Sequence, residues 1–334
     1  MINIGIIGYG YWGPNLVRNF FSTENCKITM ISDFNKSRLD ILNKNFPGVI
    51  TTTNAEDILF NKNIDAVIIA TPVFTHYNLA RIALMNNKHV FIEKPMTSDV
   101  ESAMELVNLA KSKNLILMVD HTFLYTDSVY KIKNLINEGF LGQLNYFDST
   151  RINLGLFQPD VNVLWDLAPH DISILLYIKN ELPFSVNATG ISHTGNGIEN
   201  IAYLTINYMS NFIAHINCSW SSPTKVRSTL IGGTQKMIVF NDLEPSEKIR
   251  LYDTSFKFTN FDEKNKILVD YRVGDIQIPK IENTEALKNV AHDFINSIEK
   301  NRSPISNGEI GLSVVKILQA AQKSIKSNGK EIKL

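Results

Sequence analysis

The sequence predicts an α/β chain: an N-terminal doubly wound parallel sheet over residues 1–120, then an α+β domain over residues 121–334 that contains an antiparallel sheet. Three observations lead there. Short Ile- and Val-rich runs without alternation recur through the first part, with helical stretches between them. A glycine-rich turn follows the first run directly. Beyond residue 200 the apolar residues alternate with period two instead.

Taken in order, the unalternating runs are residues 2–7, 27–32, 66–70, 90–92 and 116–119. Runs of this kind suit strands covered on both faces. Between them, residues 15–21, 37–45, 78–85 and 99–111 carry helical spacing, so each strand–helix–strand unit forms a right-handed crossover. Helical spacing returns at 130–138 and 166–178. Residues 202–208 then set Ala202, Leu204, Ile206 and Tyr208 on one face, and residues 212–220 do the same with Phe212, Ala214, Ile216, Cys218 and Trp220. Such alternation predicts strands with one packed face. Two last helical stretches, 286–298 and 308–327, are expected to pack back on the first domain.

Composition narrows the function. A chain of 334 residues with 44% hydrophobic content buries an adequate core in two domains, without disulfides or a structural metal. Its 33 basic and 33 acidic residues balance, which argues against a nucleic-acid binder and against a polybasic membrane-surface protein. Two cysteines form neither a disulfide framework nor a Cys-based metal site, and no metal is expected. No apolar run approaches the roughly 18 residues of a membrane helix, and no signal-peptide pattern opens the chain, so a cytoplasmic location is expected.

Chemistry gathers at the ends of the strands. Gly8-Tyr9-Gly10-Tyr11-Trp12-Gly13 fits G-x-G-x-x-G between a strand and a helix, the setting in which glycines let backbone approach a pyrophosphate. Asp33 closes the second run 20 residues after Gly13. A carboxylate there accepts both hydroxyls of an adenosine ribose and repels a 2′-phosphate, which points to NAD; Ser37 and Arg38 nearby leave room for NADP. Thr71 and Pro72 end the third run, where a doubly wound sheet opens its crevice, and are read as cofactor contacts. His76 either donates a hydrogen bond there or sits at the surface of a helix start. Glu93-Lys94-Pro95 follows the fourth run, so the Lys94 ammonium is placed to stabilise a developing alkoxide, or it is a solvated turn residue. His121, directly after the fifth run, is a candidate to line the same site.

Asp166-Leu167-Ala168-Pro169-His170-Asp171 is the other cluster. Asp166 and His170 are four apart on a helical stretch and share a face, so the carboxylate can orient an imidazole acting as general base. The alternative is a helix cap and a satisfied core histidine. Arg151, on an expected strand 15 residues before Asp166, is a candidate for bidentate phosphate binding, with Lys225 and Arg227 behind it and Tyr125 to stack or hydrogen-bond.

The ordered set of G-x-G-x-x-G, Thr-Pro, Glu-Lys-Pro and Asp-x-x-x-His resembles the Gfo/Idh/MocA family of oxidoreductases across essentially the whole chain. The resemblance implies a Rossmann domain followed by an α+β domain with a large, mostly antiparallel sheet. It also implies catalysis by Lys94, Asp166 and His170, NAD as cofactor, and a homo-oligomer, dimer or tetramer, built through the open sheet face. Two positions depart from the family pattern: Ala168 stands where glycine is usual, and Ser173 where many members carry Asp. Within the family the glycine turn and the segment around His170 look like the branch that oxidises nucleotide-linked sugars of the UDP-N-acetylhexosamine type at C3 for surface glycans. The expected activity is therefore hydride transfer from a sugar CH–OH carbon to nicotinamide. A free sugar or inositol, oxidised or formed by keto-reduction, is the alternative substrate. An NAD-binding sensor or partner-binding module is the alternative outside enzymes.

Overall fold

A computed structural model describes residues 1–158, 161–262 and 266–334. The described chain divides into two compact units, Met1–Thr126 with Thr284–Lys316, and Asp127–Asn283 with Ile317–Leu334.

In the first unit the elements run β1 (Ile2–Ile7), α1 (Gly13–Phe21), β2 (Cys26–Ser32), α2 (Lys36–Asn45), β3 (Ile50–Thr52), α3 (Glu56–Leu59), β4 (Ala66–Ile69), α4 (Val73–Met85), β5 (His89–Ile92), α5 (Val100–Ser112) and β6 (Leu117–Val119). The six strands order as β3-β2-β1-β4-β5-β6 and every pairing is parallel. All four residues of β4 are buried, as expected of a strand covered on both faces. The order reverses between β1 and β4, so the crevice opens beyond their carboxyl ends, at Gly8 and Ala70.

The second unit runs α6 (Asp127–Asn137), β7 (Leu144–Leu154), α7 (Val163–Ile178), β8 (Ser185–Ile191), β9 (Ile201–Asn207), β10 (Ile213–Ser219), β11 (Ser221–Gly233), β12 (Met237–Asn241), β13 (Ile249–Asp262) and β14 (Lys266–Gln277). Helix α8 (Ala286–Glu299) belongs to the first unit. Helix α9 (Gly308–Lys326) starts in the first unit and ends in the second, and β15 (Ile332–Lys333) closes the chain. Phe294 of α8 meets Phe20 of α1 and Phe91 of β5 edge-on, with centroids 6.1 and 5.7 Å away, so α8 shares the core of the first unit.

Nine strands order as β14-β13-β12-β11-β7-β10-β9-β8-β15. All pair antiparallel except β10 with β7, which is parallel. One register row, Leu251–Ile238–Ile231–Phe147–Ala214–Ile206–Val186, crosses seven strands and is buried throughout. A neighbouring row carries Leu230, Asp148, His215 and Thr205 on the opposite face, partly exposed. Period two thus gives this sheet a packed face and a wet one. No helix among the described residues is long and apolar enough to cross a membrane.

Candidate active site

The cofactor cradle lies within the first unit. Gly8 has φ +100°, and a Cβ there would stand 2.4 Å from the Ala70 carbonyl oxygen; a Cβ on Gly13 would stand 2.8 Å from the Gly8 oxygen. Only glycine permits both approaches. The turn is held by Gly8 N donating to the Ser32 carbonyl at 2.8 Å and Ala70 N donating to Ile7 at 2.8 Å. Helix α1 then begins at Gly13 with no acidic residue in its first turn, leaving its amide donors and positive end for an anion.

Asp33 anchors the other wall. Its carboxylate accepts from Tyr9 N at 2.7 Å and from Asn35 N at 2.8 Å, and the half-exposed Arg38 guanidinium stands 3.4 Å away. A cavity of about 950 Å³ opens among Gly8, Gly10, Tyr11, Asp33, Arg38, Thr71 and Pro72, sufficient for a dinucleotide's adenosine half. Of the residues assigned to the cofactor in the segments after β1, β2 and β4, Trp12, Gly13 and His76 do not border this space and the others do. The Trp12 ring stacks on Tyr11, 6.4 Å between centroids. The cradle therefore fits NAD.

His76 does not fit the role expected of it. It is buried, with Nε2 2.8 Å from the Thr71 carbonyl and Nδ1 3.0 Å from the Pro95 carbonyl. Each ring nitrogen faces a backbone carbonyl and the protonated one donates, so His76 braces the turns after β4 and β5. Burial holds its pKa down, against the pull of those carbonyls.

At the ends of β5 and β6, Glu93, Lys94, Asp120 and His121 come together. Glu93 Oε2 accepts from Lys94 N at 3.2 Å, and Thr122 Oγ1 donates to Asp120 at 2.6 Å. Burial and then the Asp120 charge push the Glu93 carboxyl well above its usual range. His121 is fully buried, and neither ring nitrogen has a hydrogen-bond partner among the described residues. Burial and the Lys94 charge push its pKa down to about 3, so the imidazole is neutral near pH 7.

Helix α7 carries the cluster of the second unit. Asn162 caps it, accepting from Leu164 N at 3.1 Å and Trp165 N at 3.2 Å, and donates in turn to Glu199 and Gln322. Asp166 follows in the first turn and accepts from the Trp220 indole at 3.0 Å. His170 lies one turn further on, partly exposed like Asp166. Ser173, at the position where Asp is usual, donates to the His170 carbonyl at 2.8 Å and adds no charge.

Two substrate candidates are corrected. Arg151 is buried in a two-pronged pair with Asp171, Nε–Oδ2 2.8 Å and Nη2–Oδ1 2.9 Å, which ties β7 to α7. That pairing takes up the fork geometry a phosphate would need. Tyr125 is buried as well: its hydroxyl donates to Asp293 at 2.7 Å and accepts from Ser306 N at 3.1 Å, so it ties the chain near α6 to α8 and cannot stack on a nucleotide. Arg227 pairs with Asp242 at 3.1 Å, and Lys225 is exposed in the bulge of β11 opposite the end of β7. Among the described residues, no group of three His, Cys, Asp or Glu could hold a metal ion.

Comparison with known proteins accords with this geometry. The family pattern described as "Oxidoreductase family, NAD-binding Rossmann fold" matches residues 2–121, and "GFO/IDH/MocA C-terminal domain" matches residues 129–239. The chain belongs to the Gfo/Idh/MocA oxidoreductase family. It is 25% identical over 330 residues to the UDP-N-acetylglucosamine 3-dehydrogenase of Acidithiobacillus ferrooxidans, covering 93% of each chain. The solved structure of that enzyme superposes with a TM-score of 0.80 at 22% identity and 98% coverage of both chains. The oxidoreductase YdgJ of Escherichia coli K12 is 32% identical over 191 residues, and the match spans only about half of it, 54%, and 53% of this chain. A levoglucosan dehydrogenase solved with NADH and levoglucosan superposes with a TM-score of 0.84 at 20% identity, over 99% of each chain.

As a Gfo/Idh/MocA protein the chain binds NAD through its Rossmann unit. Sequence reasoning missed Asp120, Asp171 and Trp220. Asp120 follows a strand as directly as His121 does, and that position was the available signal. Trp220 ends an alternating run with no sign that its indole would reach Asp166.

Proposed function

We propose that this Gfo/Idh/MocA protein is an NAD-dependent dehydrogenase that oxidises C3 of a UDP-N-acetylhexosamine for surface glycan assembly. The observation that carries the reading is the match along 93% of both chains to an enzyme named for that reaction. Bound NAD supplies the hydride acceptor. An imidazole nitrogen of His170 takes the hydroxyl proton as general base. Asp166, held by the Trp220 indole, stabilises the imidazolium formed on the same helix face. Lys94 offers its ammonium to the oxygen as negative charge develops. With Arg151 committed to Asp171, Lys225 becomes the proposed partner of the diphosphate. Self-association as a dimer or tetramer belongs to this reading, supported by Tyr203, Ile213 and Leu230 exposed on the wet face of the second sheet.

The likeness to levoglucosan dehydrogenase supports a second reading, in which the substrate is a free sugar. Calorimetry separates the two. UDP-N-acetylglucosamine is expected to bind at least about tenfold more tightly than N-acetylglucosamine, and UDP alone to bind measurably, because charge-assisted contacts to a diphosphate are the stronger ones. Equal affinity for the free sugar with no binding of UDP would establish the free-sugar reading instead.

A further inference from the structure

The parallel pairing of β5 with β6 sets Ile92 opposite Val119, and Asp120 N donates to the Ile92 carbonyl at 2.8 Å. The next residues along the chain, Glu93 and Asp120, therefore emerge side by side at the carboxyl end of the first sheet. Their carboxyl groups lie within hydrogen-bonding reach of each other. Each also keeps an oxygen, Glu93 Oε1 and Asp120 Oδ2, that is buried and receives no donor among the described residues. Two buried carboxylates in contact repel strongly, and one proton between them turns that repulsion into a bond.

The surroundings decide where the proton sits. Burial raises the Asp120 carboxyl too, but it receives the Thr122 hydroxyl at 2.6 Å, a donor that favours its charged form. Glu93 receives the Lys94 amide at 3.2 Å, and burial weighs on it most. His121, which faces the Lys94 charge, is neutral near pH 7.

We propose that Glu93 and Asp120 share one proton, carried on Glu93 and donated to Asp120, and that the pair is a positioning device for the Lys94 ammonium. The cluster then holds one acid, one carboxylate and one ammonium, and its net charge is zero. The Asp120 carboxylate is the lasting counter-charge of Lys94. The role of the pair in turnover rests on the catalytic part given to Lys94 above; the shared proton does not.

Infrared spectroscopy of the full chain at pH 7 tests the proton directly. A protonated-carboxyl band is expected in the wild type and should vanish in both Glu93→Gln and Asp120→Asn, because each variant leaves a lone carboxylate beside an amide donor. Absence of the band in the wild type, or its persistence in both variants, would overturn the proposal. A mutant cycle tests positioning: the double variant Glu93→Gln/Asp120→Asn should lower kcat about tenfold or more in the wild-type background and less than about twofold beside Lys94→Met. Equal losses in both backgrounds would show a structural effect on folding, and the positioning role would be withdrawn. If Lys94→Met itself keeps full turnover, the dehydrogenase role of Lys94 fails while the infrared result still reports on the shared proton.

Discussion

Replacing His170 with alanine lowers turnover by about 10²–10⁴-fold, the range a positioned general base supplies, while NAD affinity and the melting temperature stay near their wild-type values. The reason for the split lies in α7. Its packing rests on Val163, Leu164, Ala168, Ile172, Ile174, Leu175 and Ile178, all buried, and its start is fixed by Asn162. His170 is partly exposed and stands outside that apolar stripe. Removing its ring therefore takes away an acid–base group without opening a large cavity. NAD is held by the first unit, through residues that lie far from position 170 in the chain. Steady-state kinetics beside a thermal melt decides the matter: a variant that unfolds readily, yet keeps full specific activity when soluble, would make His170 a packing residue.

Arg151→Met has the largest expected cost in stability, about 3–5 kcal/mol, because it strands the Asp171 carboxylate in a buried site. Asp171 is 2% exposed on its side chain and Arg151 6%, so water does not replace the missing partner. The double variant Arg151→Met/Asp171→Leu, which removes both charges, should recover most of that loss, since a buried pair is often matched by apolar groups of similar volume. Chemical denaturation of the three proteins measures both effects. A single variant within 1 kcal/mol of the wild type would mean that Asp171 finds another partner or takes up a proton on folding.

Much of the first unit was legible because parallel strands covered on both faces announce themselves as uninterrupted Ile and Val. Strand β3, Ile50–Thr52, did not: it is three residues long, lies at the sheet edge, and has an exposed Ile50 at its start. Helix α4 starts at Val73 and not near Asn78, since Thr75 and His76 read as turn residues through side chains that bond local backbone. In the second unit, alternation located the packed face of β9 and β10. It carried no information on direction, and the parallel pairing of β10 with β7 shows the same period as its antiparallel neighbours.

The candidate site divides in the same way. Gly8, Gly13 and Asp33 were readable because local backbone geometry demands them, and the chain around each is short. For Arg151, Tyr125 and His76 the partners are set by tertiary structure and leave no local sign. Tyr125 bonds a carboxylate 168 positions away, and nothing near it in sequence marks that bond. A buried polar residue and a ligand-binding one look alike until the partner is known.

Oxidation of a nucleotide-linked sugar with NAD is read by NADH absorbance when the protein and NAD meet UDP-N-acetylglucosamine, N-acetylglucosamine and inositol in parallel. NADH and a 3-keto product are expected with the UDP-sugar, and little or no NADH with the other two. NADH formed only from a free sugar or inositol, or no turnover on any substrate by protein shown to bind NAD, would contradict it.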